Sequence, residues 1–399
     1  MITAVLLISF LSFVGLGLPD GLLGVAWPSI RAEFGRPMGA IVWLFASVSL
    51  GYFVSSVSSG PVVRRVDLGW ALVGGALAMA AGLMLVALVP WWWMLVPGFV
   101  LIGVGTGLID AGFNAYAAHC FSATTMNWMH ACFGIGATVG PPMVTLSILQ
   151  LGSWRYAYVG ASVVLWLVTL MLLRTRDRFS HRAVAQASAG AAHRRAAPAT
   201  ADRPDTEVSP VVQRLLIWGG VLLFFFYTGA EISAAQLTYT LLTEGRGMQP
   251  VSASFWVGAF WFSLTGGRIL LGPLSQIIGS RAVLRGAFAA ACIAALVLSL
   301  GLSPTADGLA LAALGASMAP VFPLLILESP GRVGASRAND VIGYQMGAAI
   351  LSSVLLAGGG GMLAQRVGMA VVAPYILLLL LLGAGLFAVL TVLQRSVVQ

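Results

Sequence analysis

Twelve runs of about twenty mostly apolar residues, separated by short Gly, Pro, Arg or Trp punctuation, constrain this chain more than any other feature. A helix of that length crosses a hydrocarbon core of about 30 Å while satisfying every backbone N–H and C=O within itself. The spacing predicts spans at 2–27, 40–60, 70–90, 94–119, 127–150 and 155–173, then 213–242, 251–273, 281–303, 307–327, 340–362 and 370–393. A soluble chain is excluded, because 59% of the residues are hydrophobic and only 9% charged, where soluble domains carry roughly a quarter charged. The 399 residues read as an all-α membrane protein. Its twelve transmembrane helices would form two pseudo-symmetric six-helix bundles, residues 1–173 and 213–399. The stretch 174–212, rich in Arg, Ala, Ser and Pro, reads as a polar linker with too few large apolar side chains to order itself.

The net charge of +8 comes entirely from arginines that are scattered or gathered in the linker, which argues against nucleic acid as a partner. Short loops rich in Arg stay on the cytoplasmic side. With both termini inside, fifteen arginines fall on that side, five on the other (Arg31, Arg36, Arg155, Arg246, Arg366), and Arg268 lies within a span. The expected location is therefore a cytoplasmic (inner) membrane, crossed many times, with both termini cytoplasmic. The chain opens on an apolar run without a basic flank, so the first span is expected to be retained. Cys120, Cys132 and Cys292 lie within apolar runs, without disulfide or zinc spacing, and read as small core residues.

Six spans plus six invites a search for duplication. Asp20 and Glu33 correspond to Glu231 and Glu244 at an offset of 211 residues. Gly136-Ala137 corresponds to Gly347-Ala348 at the same offset, and Gly60-Pro61 to Gly272-Pro273 at 212. Four markers agreeing within one residue favour a parallel repeat. The chain resembles the major facilitator superfamily of transporters over essentially its whole length. After the second span, Gly60-Pro61-Val62-Val63-Arg64-Arg65-Val66-Asp67-Leu68-Gly69 resembles that family's G-x-x-x-D-R-x-G-R-R loop. Arg64 stands in place of its acid and Asp67 in place of its second glycine. The second copy, Gly272 to Arg281, keeps both glycines and has Gln276 for the acid. The resemblance implies a monomeric transporter with a small-molecule substrate and the lipid bilayer as its surroundings.

An ionisable residue in mid-span costs at least about 2.5 kcal/mol, so each needs a reason. Three acids stand out: Asp20 in the loosened Gly17-Leu18-Pro19-Asp20-Gly21, Asp110 midway along the fourth span, and Glu231 in the seventh. Each is a candidate coupling group, neutral when enclosed and ionised when water or a cation arrives. Asp20 can alternatively cap a broken helix, and Glu231 can brace a helix contact. Arg268 is expected to reach the cytoplasmic surface or a gating acid.

The sharpest local pattern is Asp110-Ala111-Gly112-Phe113-Asn114 followed by Asn127-Trp128-Met129-His130. It resembles the fucose-galactose-glucose:proton symporter branch and its sodium-glucose relatives, which have an acid and then Asn four later in the fourth helix, with Asn and then Gln or His three later in the fifth. The resemblance implies that Asp110 handles the coupling cation, proton or sodium, near a bound sugar, with His130 and Asn114 hydrogen-bonding that sugar. Sugars need groups that both donate and accept, flanked by flat aromatic faces. Asn114, Asn127, His130, Gln236, Tyr239, Tyr344 and Gln345 are the expected substrate-binding set, with Trp27 or Trp256 as stacking surfaces and Trp91-Trp92-Trp93 as an interfacial belt. No nucleophile, metal cluster or phosphate loop is evident, so neither an enzyme nor a bound cofactor or metal is expected. Two alternatives stand beside sugar or polyol import. One is proton-driven efflux of drugs or metabolites, because Gly136-Ala137-Thr138-Val139-Gly140-Pro141-Pro142 resembles the antiporter motif. The other is a membrane nutrient receptor that no longer transports.

Overall fold

The apolar runs fold as helices. The computed structural model describes residues 2–121, 123–179, 210–333 and 335–398, and contains no strand among them. The helices of the first half are α1 (Ile2–Glu33), α2 (Ile41–Val66), α3 (Leu68–Leu88), α4 (Leu95–Cys120), α5 (Ala123–Leu151) and α6 (Arg155–Thr175). Those of the second are α7 (Pro210–Thr240), α8 (Pro250–Ile278), α9 (Ser280–Leu300), α10 (Pro304–Met318), α11 (Val321–Val333), α12 (Ala335–Ser352), α13 (Gly358–Val367) and α14 (Val372–Val398). The tenth expected span is broken into α10 and α11 at Ala319-Pro320, and the eleventh into α12 and α13 by a π-helical turn, Ser353–Ala357. Among the described residues eleven segments are long and apolar enough to cross a membrane. The remaining one, α8, is 29 residues long and carries Arg268. Large apolar side chains such as Leu50, Phe53, Phe262, Leu270, Leu296 and Val392 are exposed, as suits a chain that crosses a membrane.

Several helices outrun the spans read from the sequence. Gly60-Pro61 lies inside α2, and α8 runs through Pro273 to Ile278, so neither Gly-Pro pair ends its helix. In a membrane, neighbouring helices re-satisfy the backbone groups that a proline frees, and helices tolerate it. The expected linker also starts later than its polar composition implies. Its first residues complete α6 and a 3₁₀ turn, Arg176–Phe179. Phe179 is fully buried against Phe113 and Tyr116, while Arg176 lies over the Trp70 ring at 4.4 Å. One aromatic side chain with a core to enter is enough to order this turn. Residues 180–209 lie outside the described residues.

The chain separates into two compact units, Met1–Arg36 with Trp43–Ala199, and Pro37–Val42 with Thr200–Gln399. In the first, α1 packs on α5 and α6, and α3 on α4 and α6. The α1–α5 crossing rests on glycine: a Cβ on Gly17 or Gly21 would overlap the carbonyl of Phe133 or Ala137, and one on Gly136 the carbonyl of Val14. Pairs of glycines four apart on both helices let backbones approach where lipid supplies no hydrophobic drive. In the second unit, α7 packs on α12 and α14, α9 on α10 and α14, and α8 on α10. Allowing for the breaks in its tenth and eleventh spans, the second unit repeats the pairings of the first.

Each unit is also braced by an arginine that caps its third helix. In the first, Arg155 pairs with Glu33 at 2.6 Å and donates to the Ala87 carbonyl near the end of α3, while Trp154 donates to the other Glu33 oxygen. In the second, Arg246 pairs with the buried Asp307 at 2.7 Å and donates to the Leu298 carbonyl near the end of α9. Asp307 lies in the first turn of α10, which Ser303 caps by accepting from the Ala306 amide and Pro304 opens.

The aromatic belt is only partly a belt. Trp91 and Trp93 are exposed, but Trp92 is buried against Trp27 and Phe34, with the Arg36 guanidinium over Trp92 and Trp93. Trp27 is wholly buried in that cluster and offers no face for a solute to stack on.

Candidate functional site

The Asp110-to-Asn114 spacing places two polar side chains one turn apart on the same face of α4. Asn114 Nδ2 donates to Asp110 Oδ1 at 2.8 Å. His130, reaching across from α5, stands with Nε2 3.2 Å from Asn114 Oδ1. That amide oxygen can only accept, so the contact is a hydrogen bond in the tautomer of His130 protonated at Nε2. The imidazole is held edge-on by Phe13 at 5.2 Å, and Phe13 in turn packs on Phe113.

Sequence reasoning missed a fourth member. Tyr52 on α2 donates its hydroxyl to Asp110 Oδ2 at 2.8 Å. It arrives there because α2 and α4 cross closely: a Cβ on Gly51 would overlap the Val100 carbonyl, and one on Gly103 the Val48 carbonyl. The sequence carries a signal for this crossing in Gly103 and Gly107, four apart on α4, a pattern that permits close helix approach. Tyr52, Asp110, Asn114 and His130 thus form one hydrogen-bonded row across three helices. Asp110 is half-buried, and among the described residues it forms no ion pair.

The other sequence candidates fall elsewhere. Asp20 is exposed on α1, next to the glycine that seats α1 on α5. The side chain of Asn127 lies outside the described residues, as do those of Arg64 and Gln276. In the second unit, Glu231 Oε1 is 3.4 Å from Arg268 Nη2. Arg268 therefore turns toward an acid of its own unit, within the span, instead of reaching the cytoplasmic surface. One turn before Glu231, Tyr227 donates to the Met318 carbonyl at the end of α10. Gln236 and Tyr239 are buried on the same helix. Gln345 is buried on α12 and accepts from Ser329 at 3.0 Å, whereas Tyr344 is exposed and stacks on Trp218 with centroids 6.0 Å apart. Adjacent residues on a helix point about 100° apart, so Tyr344 and Gln345 do not share a surface. Among the described residues no three His, Cys, Asp or Glu side chains gather as a metal site would require.

Membrane-spanning helices in two units, with an acid in a polar row at membrane depth, define a polytopic carrier. The sequence model of the Major Facilitator Superfamily matches residues 5–355, and the chain belongs to that family: it is a transporter and not an enzyme. Similar curated proteins include the "Sodium-dependent glucose transporter 1A" of Mus musculus, 23% identical over 388 residues and covering 87% of each chain. The "Sodium-dependent glucose transporter 1" of Homo sapiens is 25% identical, covering 86% of this chain and 71% of its own. Among solved structures, a POT family transporter in complex with 5-aminolevulinic acid superposes with a TM-score of 0.75 at 9% identity, over 100% of this chain and 96% of the other. A nucleoside transporter superposes at 0.70 with 13% identity, over 98% and 99%. At such identities the structural matches speak for the fold alone.

Proposed function

We propose that the protein is a secondary active transporter that imports a small polar solute, a sugar or polyol, by alternating access coupled to protons or sodium at Asp110. The observation that carries this reading is the row Tyr52–Asp110–Asn114–His130. A carboxylate with a phenol and an amide as partners, and no guanidinium beside it among the described residues, can still gain a cation. Glu231, with Arg268 at 3.4 Å, already has one. Asp110 is therefore the acid to which we assign coupling, and Glu231 acts as the partner that keeps Arg268 compensated. The names of the curated relatives support a sugar as the solute class, and Asn114 and His130 have the donor and acceptor groups that hydroxyls require.

The chemistry is a conditional closure. A charged, empty Asp110 resists enclosure in a low dielectric, while a neutralised one permits it once solute is bound. In proteoliposomes, Asp110→Asn should lose accumulation of solute against a gradient while exchange of labelled for unlabelled solute persists. Accumulation equal to the parent protein would refute the assignment. Imposing a pH gradient or a sodium gradient separately identifies the cation, and the direction of flux separates import from efflux.

A further inference from the structure

At one end of the second unit, the start of α9, the end of α11 and the end of α14 come together around three arginines. Arg281 pairs with Glu328 at 3.2 Å and also donates to Gln394 Oε1 on α14. Arg285, one turn on, is exposed and folds back to donate to the Arg281 carbonyl. Arg332 is 7% exposed, and its Nε and Nη1 have no hydrogen-bond partner among the described residues. Its guanidinium stands 5.9 Å from the centre of the Phe387 ring. Burial pushes its pKa down to about 10, against the pull of Glu328, so it stays cationic at neutral pH. Two guanidinium groups, Arg281 and Arg332, therefore share one carboxylate, Glu328, and a third, Arg285, stands exposed one turn along α9.

Phe387 also lines a groove. Between α9 and α14 a cleft of about 330 Å³ is lined by Arg285, Phe288, Cys292, Phe387, Ala388 and Thr391, among others. Its floor is the stacked pair Phe288 and Phe387, and it runs from Arg285 along apolar, outward-facing helix surface that includes Ile293 and Val389. The shape is a slot for an acyl chain with cationic groups at one end.

We propose that this groove binds an anionic phospholipid, with an acyl chain laid between α9 and α14 and the headgroup phosphate held by Arg285, within the positive field of the buried Arg332, 5.9 Å from the Phe387 ring. Charge complementarity selects the headgroup: a guanidinium pairs with phosphate through two parallel N–H···O bonds. The uncapped start of α9, at Gly279, adds its amide dipoles on the same side. A zwitterionic lipid has the same phosphate, but it brings a cation of its own toward three arginines and is bound less tightly.

The test uses the full-length protein in detergent, titrated with phosphatidylglycerol, phosphatidylcholine or inorganic phosphate, with bound lipid read by native mass spectrometry and stability by thermal melting. Phosphatidylglycerol should be retained and should raise the melting temperature, phosphatidylcholine much less, and phosphate alone not at all. Arg285→Ala should weaken retention by about tenfold, the size expected for one charge-assisted contact. Ala388→Trp should fill the groove and abolish retention with every arginine in place. Both positions are exposed, so neither variant threatens folding as Arg332→Gln does. Equal retention of both lipids, unchanged retention in both variants, protection by phosphate as strong as by lipid, or a dimer that Ala388→Trp dissociates without any bound lipid would each overturn the proposal.

Discussion

Asp67 sits between α2 and α3 with φ 71° and ψ 152°, the only positive φ among the described non-glycine residues. That region is essentially reserved for glycine and costs a side-chain-bearing residue on the order of 1–3 kcal/mol. Asp67 recovers part of this by capping α3, its carboxylate accepting from the Leu68 amide at 2.8 Å. Replacing an N-cap aspartate by glycine costs only a few tenths of a kcal/mol, and the extra freedom of glycine in the unfolded chain roughly 0.5–1 kcal/mol more. The balance predicts that Asp67→Gly gains about 1 kcal/mol, whereas Asp67→Ala keeps the strain, loses the cap and forfeits about 1 kcal/mol. The repeat supplies the reciprocal experiment. Gly279, 212 residues on, holds φ 86° and ψ 142° between α8 and α9, and a Cβ there meets nothing within 4 Å. Gly279→Ala should therefore cost about 1–3 kcal/mol from backbone conformation alone. Equilibrium unfolding in mixed micelles, followed by tryptophan fluorescence, measures all three. If Asp67→Gly proves no more stable than Asp67→Ala, the strain inferred from the backbone angles is not there.

Breaking the buried pair in the second unit with Asp307→Asn should cost about 3–5 kcal/mol, since it strands Arg246. Adding Arg246→Met should restore part of the loss in the same unfolding assay, and strictly additive effects would show that the pair is not coupled. Gly136→Leu should prevent α1 from seating on α5 and leave little folded protein by size-exclusion chromatography. Tyr52→Phe removes one hydrogen bond to Asp110 and should slow coupled uptake by about tenfold while the melting temperature changes little. Normal uptake in that variant would remove Tyr52 from the site.

What can be read from the sequence follows from what is locally encoded. Span positions depend on hydropathy summed over about twenty residues, so no single side chain misplaces them. Helix ends depend on particular residues. Gly60-Pro61 reads as a stop in water but not in a membrane, and Phe179 orders residues that composition assigns to the linker. The Asp110–Asn114–His130 row is legible because two of its members are one turn apart and the third follows a short connection. Tyr52 is not, since 58 residues separate it from Asp110 and only the α2–α4 crossing joins them. The same limit hides the partnership of Glu231 with Arg268, 37 residues away. Tyr344 and Gln345 look alike as polar residues in a span, and only the fold separates the exposed ring from the buried amide.

The arginine caps carry a consequence for how the two halves can be exchanged. The capped carbonyls, Ala87 and Leu298, stand at the repeat distance of 211 residues, yet their guanidinium donors do not. Arg155 comes from the sixth span of its half, and Arg246 from the turn after the first span of the other. A duplicated first half would carry its own donor into both copies. Swapping Arg246 with Gly35, its match 211 residues earlier, would instead leave the second acceptor without a donor while the first already has Arg155. The halves therefore reach the same brace from different positions and are not exchangeable residue by residue.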